Sequence, residues 1–298
     1  MNLVPNPSFE NVAQCPFSFG LEAYTTDWKS ARATPDYFNS CSSWSGASTP
    51  TNGYGYQLAN SGNSYIGMLT YRSDSSIYSE AASVQLTNPL ILGQTYYVSF
   101  RLSLTLDDFT ESNTANNKIG VQFSTVDYLP SNPLPINNFA HVWSDSIITD
   151  TLNWSIIKGS FVADSNYTHL SLGNFFDKPY VDTIIYGTNF GGYYFFDDVC
   201  VSTDSVLCYS SVGINEYNNK DLNITVYPSP VINYVTIKNN KATTPYDVTV
   251  INSLGQIIYK EQKLYGIGTI NAEQFDNGVL TIEIKFENKK SYYKLIKQ

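Results

Sequence analysis

The chain is 298 residues long, enough for two domains with cores of their own, and carries a net charge of −9. Aromatic residues make up 15% of it, with 24 tyrosines, while charged residues make up only 14%. That mixture suits an exported β protein better than a helical cytosolic enzyme. From Asp221 onward nine lysines stand against seven acids, a net +2, which leaves −11 on the remainder. An acidic domain of that kind repels a phosphate backbone, so nucleic acid is set aside as a partner. No apolar run reaches the length of a membrane span.

In chain order, Asn2-Leu-Val-Pro-Asn-Pro-Ser-Phe-Glu10 reads as an opening strand. Residues 24–67 form a long stretch rich in Gly, Ser and aromatics, including Trp28, Tyr37, Phe38, Trp44, Tyr54 and Tyr56. A loop of that size inside a compact domain more often carries function than not. Further strands are expected at residues 64–69, 80–86, 95–104, 118–124, 154–162, 169–174 and 193–201, with no convincing helical period between them. Two polar or Pro-rich loops are expected at 107–117 and 128–142. Residues 203–222 lack periodicity and read as a linker, with Asn218-Asn-Lys220 an inviting place for an export protease to cut. Beyond it, strands are expected at 231–238, 247–251, 256–261, 279–286 and 292–296, with turns at Ser253-Leu-Gly255, Asp276-Asn-Gly278 and Lys289-Lys290. Pro228 and Pro230 cannot donate ladder hydrogen bonds and mark the edge where this last unit begins. The fold class is therefore all-β: a larger sandwich over 1–202, a linker over 203–222 and a small immunoglobulin-like sandwich over 223–298.

Four cysteines, Cys15, Cys41, Cys200 and Cys208, fit neither a zinc pattern nor a Cys-x-x-Cys redox motif. An even count in an exported chain favours disulfides, expected as Cys15–Cys41 and Cys200–Cys208 among three possible pairings.

Several short motifs resemble known families. Tyr227-Pro-Ser-Pro230, Asn252-Ser-Leu-Gly255, Asn277-Gly-Val279 and the terminal Lys294-Leu295-Ile296-Lys297-Gln298 resemble the C-terminal sorting domain of type IX secreted proteins of Bacteroidota. Ser229 and Leu280 depart from that family's more usual Asn and Tyr. The resemblance implies an address read by an outer-membrane translocon and its shuttle, followed by removal of the tail or surface attachment. The protein is then secreted or displayed on the outer surface. Such a cargo needs a signal peptide; none precedes Asn2, so the expectation is that it was removed and Met1 added. Asn2–Glu10 and Tyr193-Tyr-Phe-Phe-Asp-Asp-Val-Cys-Val201 resemble the first and last strands of jelly-roll, galactose-binding-like carbohydrate-binding modules. Gly93-Gln-Thr-Tyr96 resembles the turn into their central strand. This resemblance implies polysaccharide or another glycan as ligand, and a structural calcium held by Glu10 and Asp198.

For the sugar, Trp28, Trp44, Tyr54, Tyr56 and Tyr65 are the candidate stacking rings, with Trp143 an outlier from another loop. For any one of them, capping the core beneath a loop is the commoner fate. For calcium, two carboxylates alone do not fill six to eight oxygen positions. Catalysis has little support: His141 and His169 are the only histidines, no hydrolase motif is present, and Asp107 with Asp108 or Asp145 with Asp150 read as loop acids. Asp145-Ser-Ile147, Asp150-Thr-Leu152, Asp182-Thr-Ile184 and Asp204-Ser-Val206 resemble Bacteroidota O-glycosylation sites, the last, in the linker, being the one best placed for it. The leading expectation is a glycan-binding or adhesive cargo. The alternatives are a structural subunit of a surface layer or filament and, weakest, a hydrolase.

Overall fold

The computed structural model describes residues 1–73, 79–106, 112–187, 191–209, 224–227, 231–239, 244–252, 255–286 and 289–297. The chain divides into two compact units, Met1–Ser210 and Ser211–Gln298.

In the first unit the strands are β1 (Trp28–Arg32), β2 (Asp36–Asn39), β3 (Thr51–Asn52), β4 (Gly55–Tyr56), β5 (Ser64–Arg72), β6 (Ala81–Gln85) and β7 (Thr95–Thr105). They continue as β8 (Thr114–Asn116), β9 (Ile119–Ser124), β10 (Val142–Trp143), β11 (Ser155–Val162), β12 (His169–Asn174), β13 (Thr183–Ile185) and β14 (Gly191–Ser202). Two antiparallel five-stranded sheets face each other, β1-β6-β12-β9-β10 and β11-β7-β14-β5-β2, as in a jelly roll. Period-two alternation builds the core between them. Tyr96, Val98, Phe100, Leu102 and Leu104 of β7 point inward, as do Tyr194, Phe196, Val199 and Val201 of β14, against Val84, Val121, Leu170 and Leu172. Each such side chain contributes about 1.5–3 kcal/mol on leaving water. The inward phase of β14 slips by one residue after Phe196. A bulge there lets Asp197 pair with Arg101 and Cys200 with Ser99, and Asp198 takes φ 49°.

Three expectations are corrected here. The opening stretch is a run of bends and turns, with Asn6 at φ 46° and Phe9 at φ 62°, and joins no ladder; Pro5 and Pro7 have no N–H to give. It is tied instead by Leu3 N to Val201 O (2.8 Å), Thr87 N to Leu3 O (2.9 Å) and Val199 N to Pro7 O (2.8 Å). Residues 24–67 are not one loop, since β1 and β2 lie within them and each joins a main sheet. The expected linker starts inside the first unit. Ser205–Tyr209 forms a short helix, α1, tied back by the Cys200–Cys208 disulfide and by Ser99 Oγ to Cys208 O (2.7 Å). The rest of that linker, with Asn218-Asn-Lys220, lies outside the described residues. The other disulfide, Cys15–Cys41, closes as expected.

The second unit pairs β15 (Ile224–Tyr227), β16 (Tyr234–Asn239) and β19 (Ile267–Asn271) in one sheet. Its other sheet orders β18 (Ile257–Leu264), β17 (Tyr246–Ile251), β20 (Gly278–Phe286) and β21 (Lys289–Lys297). Val235, Ile237, Val248, Val250, Ile270, Ile282, Ile284 and Leu295 fill the space between them. Strands β15 and β19 lie where no strand is expected from the sequence. Pro228 and Pro230 fall outside the described residues.

Candidate functional site

The outward side of β14, β5 and β2 is as aromatic as the inward side. Tyr193, Phe195, Tyr65 and Phe38 alternate with the core residues and form a second cluster, completed by Trp44, Ala47 and Tyr54 from the loop between β2 and β5. Tyr54 stacks on Tyr193 with centroids 3.8 Å apart and planes at 12°. Polar bonds fix the loop over this face. Asn52 Nδ2 donates to Tyr65 OH (2.8 Å), Tyr65 OH to Gln57 O (3.0 Å), Ser103 Oγ to Gln57 Oε1 (3.1 Å) and Trp154 Nε1 to Leu58 O (2.8 Å). The Cys15–Cys41 disulfide and Ser42 Oγ to Pro16 O (2.6 Å) hold its base.

The candidate sugar platform therefore breaks up. Trp28 is core, packed on Phe9 at 4.9 Å with its Nε1 donating to Asn6 O (2.9 Å), and Tyr65 is fully buried under the loop. Neither ring has a face for a ligand. Trp44 and Tyr54 are half-buried, and Tyr56 stands out at 65% exposure. Phe17 and Phe19, which the sequence reading passed over, are exposed on the neighbouring loop, and Phe19 packs edge-on to Trp44 at 4.8 Å. What remains is a ridge of Phe19, Trp44, Tyr54 and Tyr56. Trp143 lies elsewhere, with Lys118 over its ring and its Nε1 donating to Asp145.

Two buried acids, unmarked by any motif in the sequence, lie nearby. Asp36 accepts Gly20 N (2.9 Å) and the Tyr193 hydroxyl (2.7 Å), and burial pushes its pKa up to about 6. Glu80 accepts Leu69 N (2.8 Å) and Thr34 Oγ1 (3.2 Å); burial first, then the nearby Asp36 charge, raises it to about 8. Both sit on strands or strand ends, where neither spacing nor composition marks a carboxyl as buried. With 4% and 6% exposure they are packed beneath the loop, not set across a cleft.

Glu10 and Asp198 meet at a common element, the loop 60–64. Glu10 accepts the backbone N–H of Asn63 and of Ser64 (2.9 Å each) and the Ser64 hydroxyl. Asp198 accepts Asn60 Nδ2 and Ser61 Oγ, while the buried Asp197 accepts Asn60 N (2.8 Å) and Ser61 N (3.2 Å). Carboxylates from opposite ends of the unit thus clasp one loop, and hard oxygens from both sides suit calcium in kind. Among the described residues no three His, Cys, Asp or Glu gather in a metal-binding group, so backbone and hydroxyl oxygens of the loop would have to complete the shell.

The histidines form no catalytic pair. His141 Nδ1 accepts Phe123 N–H (3.1 Å) and its ring is enclosed by Phe123, Phe139, Phe161 and Tyr167; burial lowers its pKa to about 4. His169 Nε2 stands 3.6 Å from Asp127, which Lys29 already engages. Asp145 is an exposed partner of Lys118 and Trp143, and Asp150 closes its own turn through the N–H groups of Leu152 and Asn153. Asp107 and Asp108 lie outside the described residues.

In the second unit the resemblance-bearing stretches come together. The register sets Gly278 opposite Lys297 and Val279 opposite Ile296, and Lys297 Nζ donates to Asn277 Oδ1 (3.4 Å). Leu295 is buried, Tyr227 is half exposed, and Gly255 turns the chain at φ +79° beside Asn252. Gln298, and the side chains of Lys294 and Ile296, lie outside the described residues.

The second unit is a compact β-sandwich module closed by its own C-terminal strand. Residues 225–298 match the family described as the secretion system C-terminal sorting domain, and this part of the chain is such a domain. No curated protein matches the chain. Among solved structures, the CBM22-1–CBM22-2 tandem domain of Paenibacillus barcinonensis Xyn10C is similar at 12% identity and TM-score 0.33, covering 97% of this chain and 86% of its own. A DUF3244 protein with an immunoglobulin-like β-sandwich from Bacteroides vulgatus is similar at 17% identity and TM-score 0.22, over 26% of this chain and 86% of its own. PorZ, a surface component of the type IX secretion system of Porphyromonas gingivalis, is similar at 16% identity and TM-score 0.24, over 36% of this chain and 14% of its own. Superpositions this loose carry no argument about function. Among the described residues no helix is long and apolar enough to cross a membrane.

Proposed function

We propose that this protein is a cargo of the type IX secretion system whose first unit binds glycan outside the cell, while the second is the export address. The sorting domain at 225–298 carries the export reading. Two disulfides and no free cysteine agree with passage through an oxidising compartment. The glycan reading rests on the ridge of Trp44, Tyr54 and Tyr56, whose rings offer apolar faces to sugar C–H groups. Glu10 and Asp198, with oxygens of the 60–64 loop, are the groups that would hold a structural calcium.

Deleting 225–298 in the host should leave the protein in the periplasm; export without that segment would end the cargo reading. A mature form trimmed between residues 210 and 223, read by intact mass, is expected outside. Affinity electrophoresis of the full chain on a polysaccharide panel tests the ligand. Tyr56→Ala should weaken retardation about tenfold, the scale of one lost anchor; unchanged retardation would remove the ridge from consideration. A second reading, a subunit of a surface layer, is favoured by the exposed Tyr180, Ile184, Ile185 and Tyr186 near β13. Concentration-dependent sedimentation of the purified chain, abolished by Ile185→Asp, would support it.

A further inference from the structure

The ridge of Phe19, Trp44, Tyr54 and Tyr56 comes from two segments, 11–21 and 37–71, and neither contains an Asp, Glu, Lys, Arg or His. This holds although the chain up to residue 220 carries a net charge of −11. The polar groups of these segments are hydroxyls and amides, with Ser43, Ser45 and Thr51 exposed among the rings. Apolar surface continues along the same segments at Phe17 and Leu58, each 61% exposed. The acids that border them are already engaged. Glu22 accepts Ser30 N (3.1 Å), and Asp36 is buried and accepts Gly20 N and the Tyr193 hydroxyl.

Charge decides between classes of glycan. A uronate or sulfated chain calls for guanidinium or ammonium donors, which these segments do not supply, and an acidic unit repels it as a whole. An amino-sugar polycation calls for carboxylates at contact distance, since salt screens exposed charges beyond about 8 Å. An uncharged chain needs ring faces for its C–H surfaces and hydroxyls or amides for its own hydroxyls, and both are present. We propose that the ligand of the first unit is an uncharged polysaccharide, gripped by Phe19 and Tyr56 with Phe17 and Leu58 extending the contact. This rests on the glycan reading above and names the class of glycan. The Cys15–Cys41 disulfide and the bonds joining Asn52, Tyr65 and Gln57 fix the layer beforehand, so binding orders little of it.

The test is surface plasmon resonance of the full chain over immobilised polysaccharides. Galactan, xylan and β-glucan are the uncharged probes, polygalacturonate and chondroitin sulfate the anionic ones, and chitosan the cationic one. Each is run at about 0.01 M and about 1 M NaCl, between which the Debye length falls from about 30 Å to about 3 Å. Binding is expected on an uncharged polymer alone, with Kd changing less than about twofold between the two salts. Phe19→Ala and Tyr56→Ala should each weaken it about tenfold, the loss of one anchor. Urea unfolding of both variants checks the fold, and Tyr56→Ala changes only an exposed side chain. Binding confined to a charged polymer and lost at high salt would overturn the uncharged class while the glycan reading stands. Uncharged binding that neither variant weakens would overturn the ridge as its seat. No binding to any of these polymers would end the glycan reading and this proposal with it.

Discussion

Gly62→Ala probes the clasp on the 60–64 loop. Gly62 has φ +66°, and a Cβ there would lie 2.3 Å from Glu10 Cδ and 2.4 Å from Glu10 Oε1. Two costs add. Alanine in the left-handed region costs about 1–2 kcal/mol. The methyl also displaces the Glu10 carboxylate, which accepts three hydrogen bonds from Asn63 and Ser64. The carboxylate is partly open to water, which recovers part of their worth, so their loss costs about 1–2 kcal/mol together. The expected total is about 2–4 kcal/mol, a fall in Tm of roughly 5–12 °C for a unit of this size. A double-mutant cycle with Glu10→Ala separates the two. In the Glu10→Ala background, Gly62→Ala should cost only the backbone part, about 1–2 kcal/mol. Equal costs in both backgrounds, or a cost below about 0.5 kcal/mol in the parent, would refute the clasp. If calcium sits there, the parent should gain Tm on adding it and Gly62→Ala should not.

Three further outcomes are expected. Asp36 and Glu80 keep their protons in the folded state well above the pH at which the unfolded chain releases them, with pKa values of about 6 and about 8. Their contribution is therefore lost as pH rises from about 4 to about 8. Urea midpoints at pH 5 and 8.5 should differ less for Glu80→Gln than for the parent, and a steeper dependence in the variant would contradict the assignment. Trp28→Ala should cost about 3–5 kcal/mol because it empties a core site, whereas Tyr56→Ala should stay within about 0.5 kcal/mol; denaturant titration reads both. Replacing Cys200 and Cys208 together by serine opens a loop spanning 8 residues and should cost about 2–3 kcal/mol by chain entropy. An unchanged midpoint would mean that α1 needs no staple.

Much of the architecture was legible because β alternation is written residue by residue. The strand expected at 169–174 is β12, and the strands at 95–104 and 193–201 lie within β7 and β14, since their branched and aromatic residues recur at period two. The two disulfides join the pairs expected among three possible pairings, and the sorting domain was legible from ordered motifs. Alternation tells which residues share a side of a strand, but not what covers that side. Tyr65 and Trp28 have the composition of a sugar platform and the burial of a core, because the loop fixed by Asn52 and Gln57 closes one face and the other lies between the sheets. The same long-range packing turned Asp36 and Glu80 into buried acids and brought Glu10 and Asp198, 188 positions apart, onto one five-residue loop. Contacts of that separation depend on how sheets stack and loops fold back, and only the tertiary structure decided them.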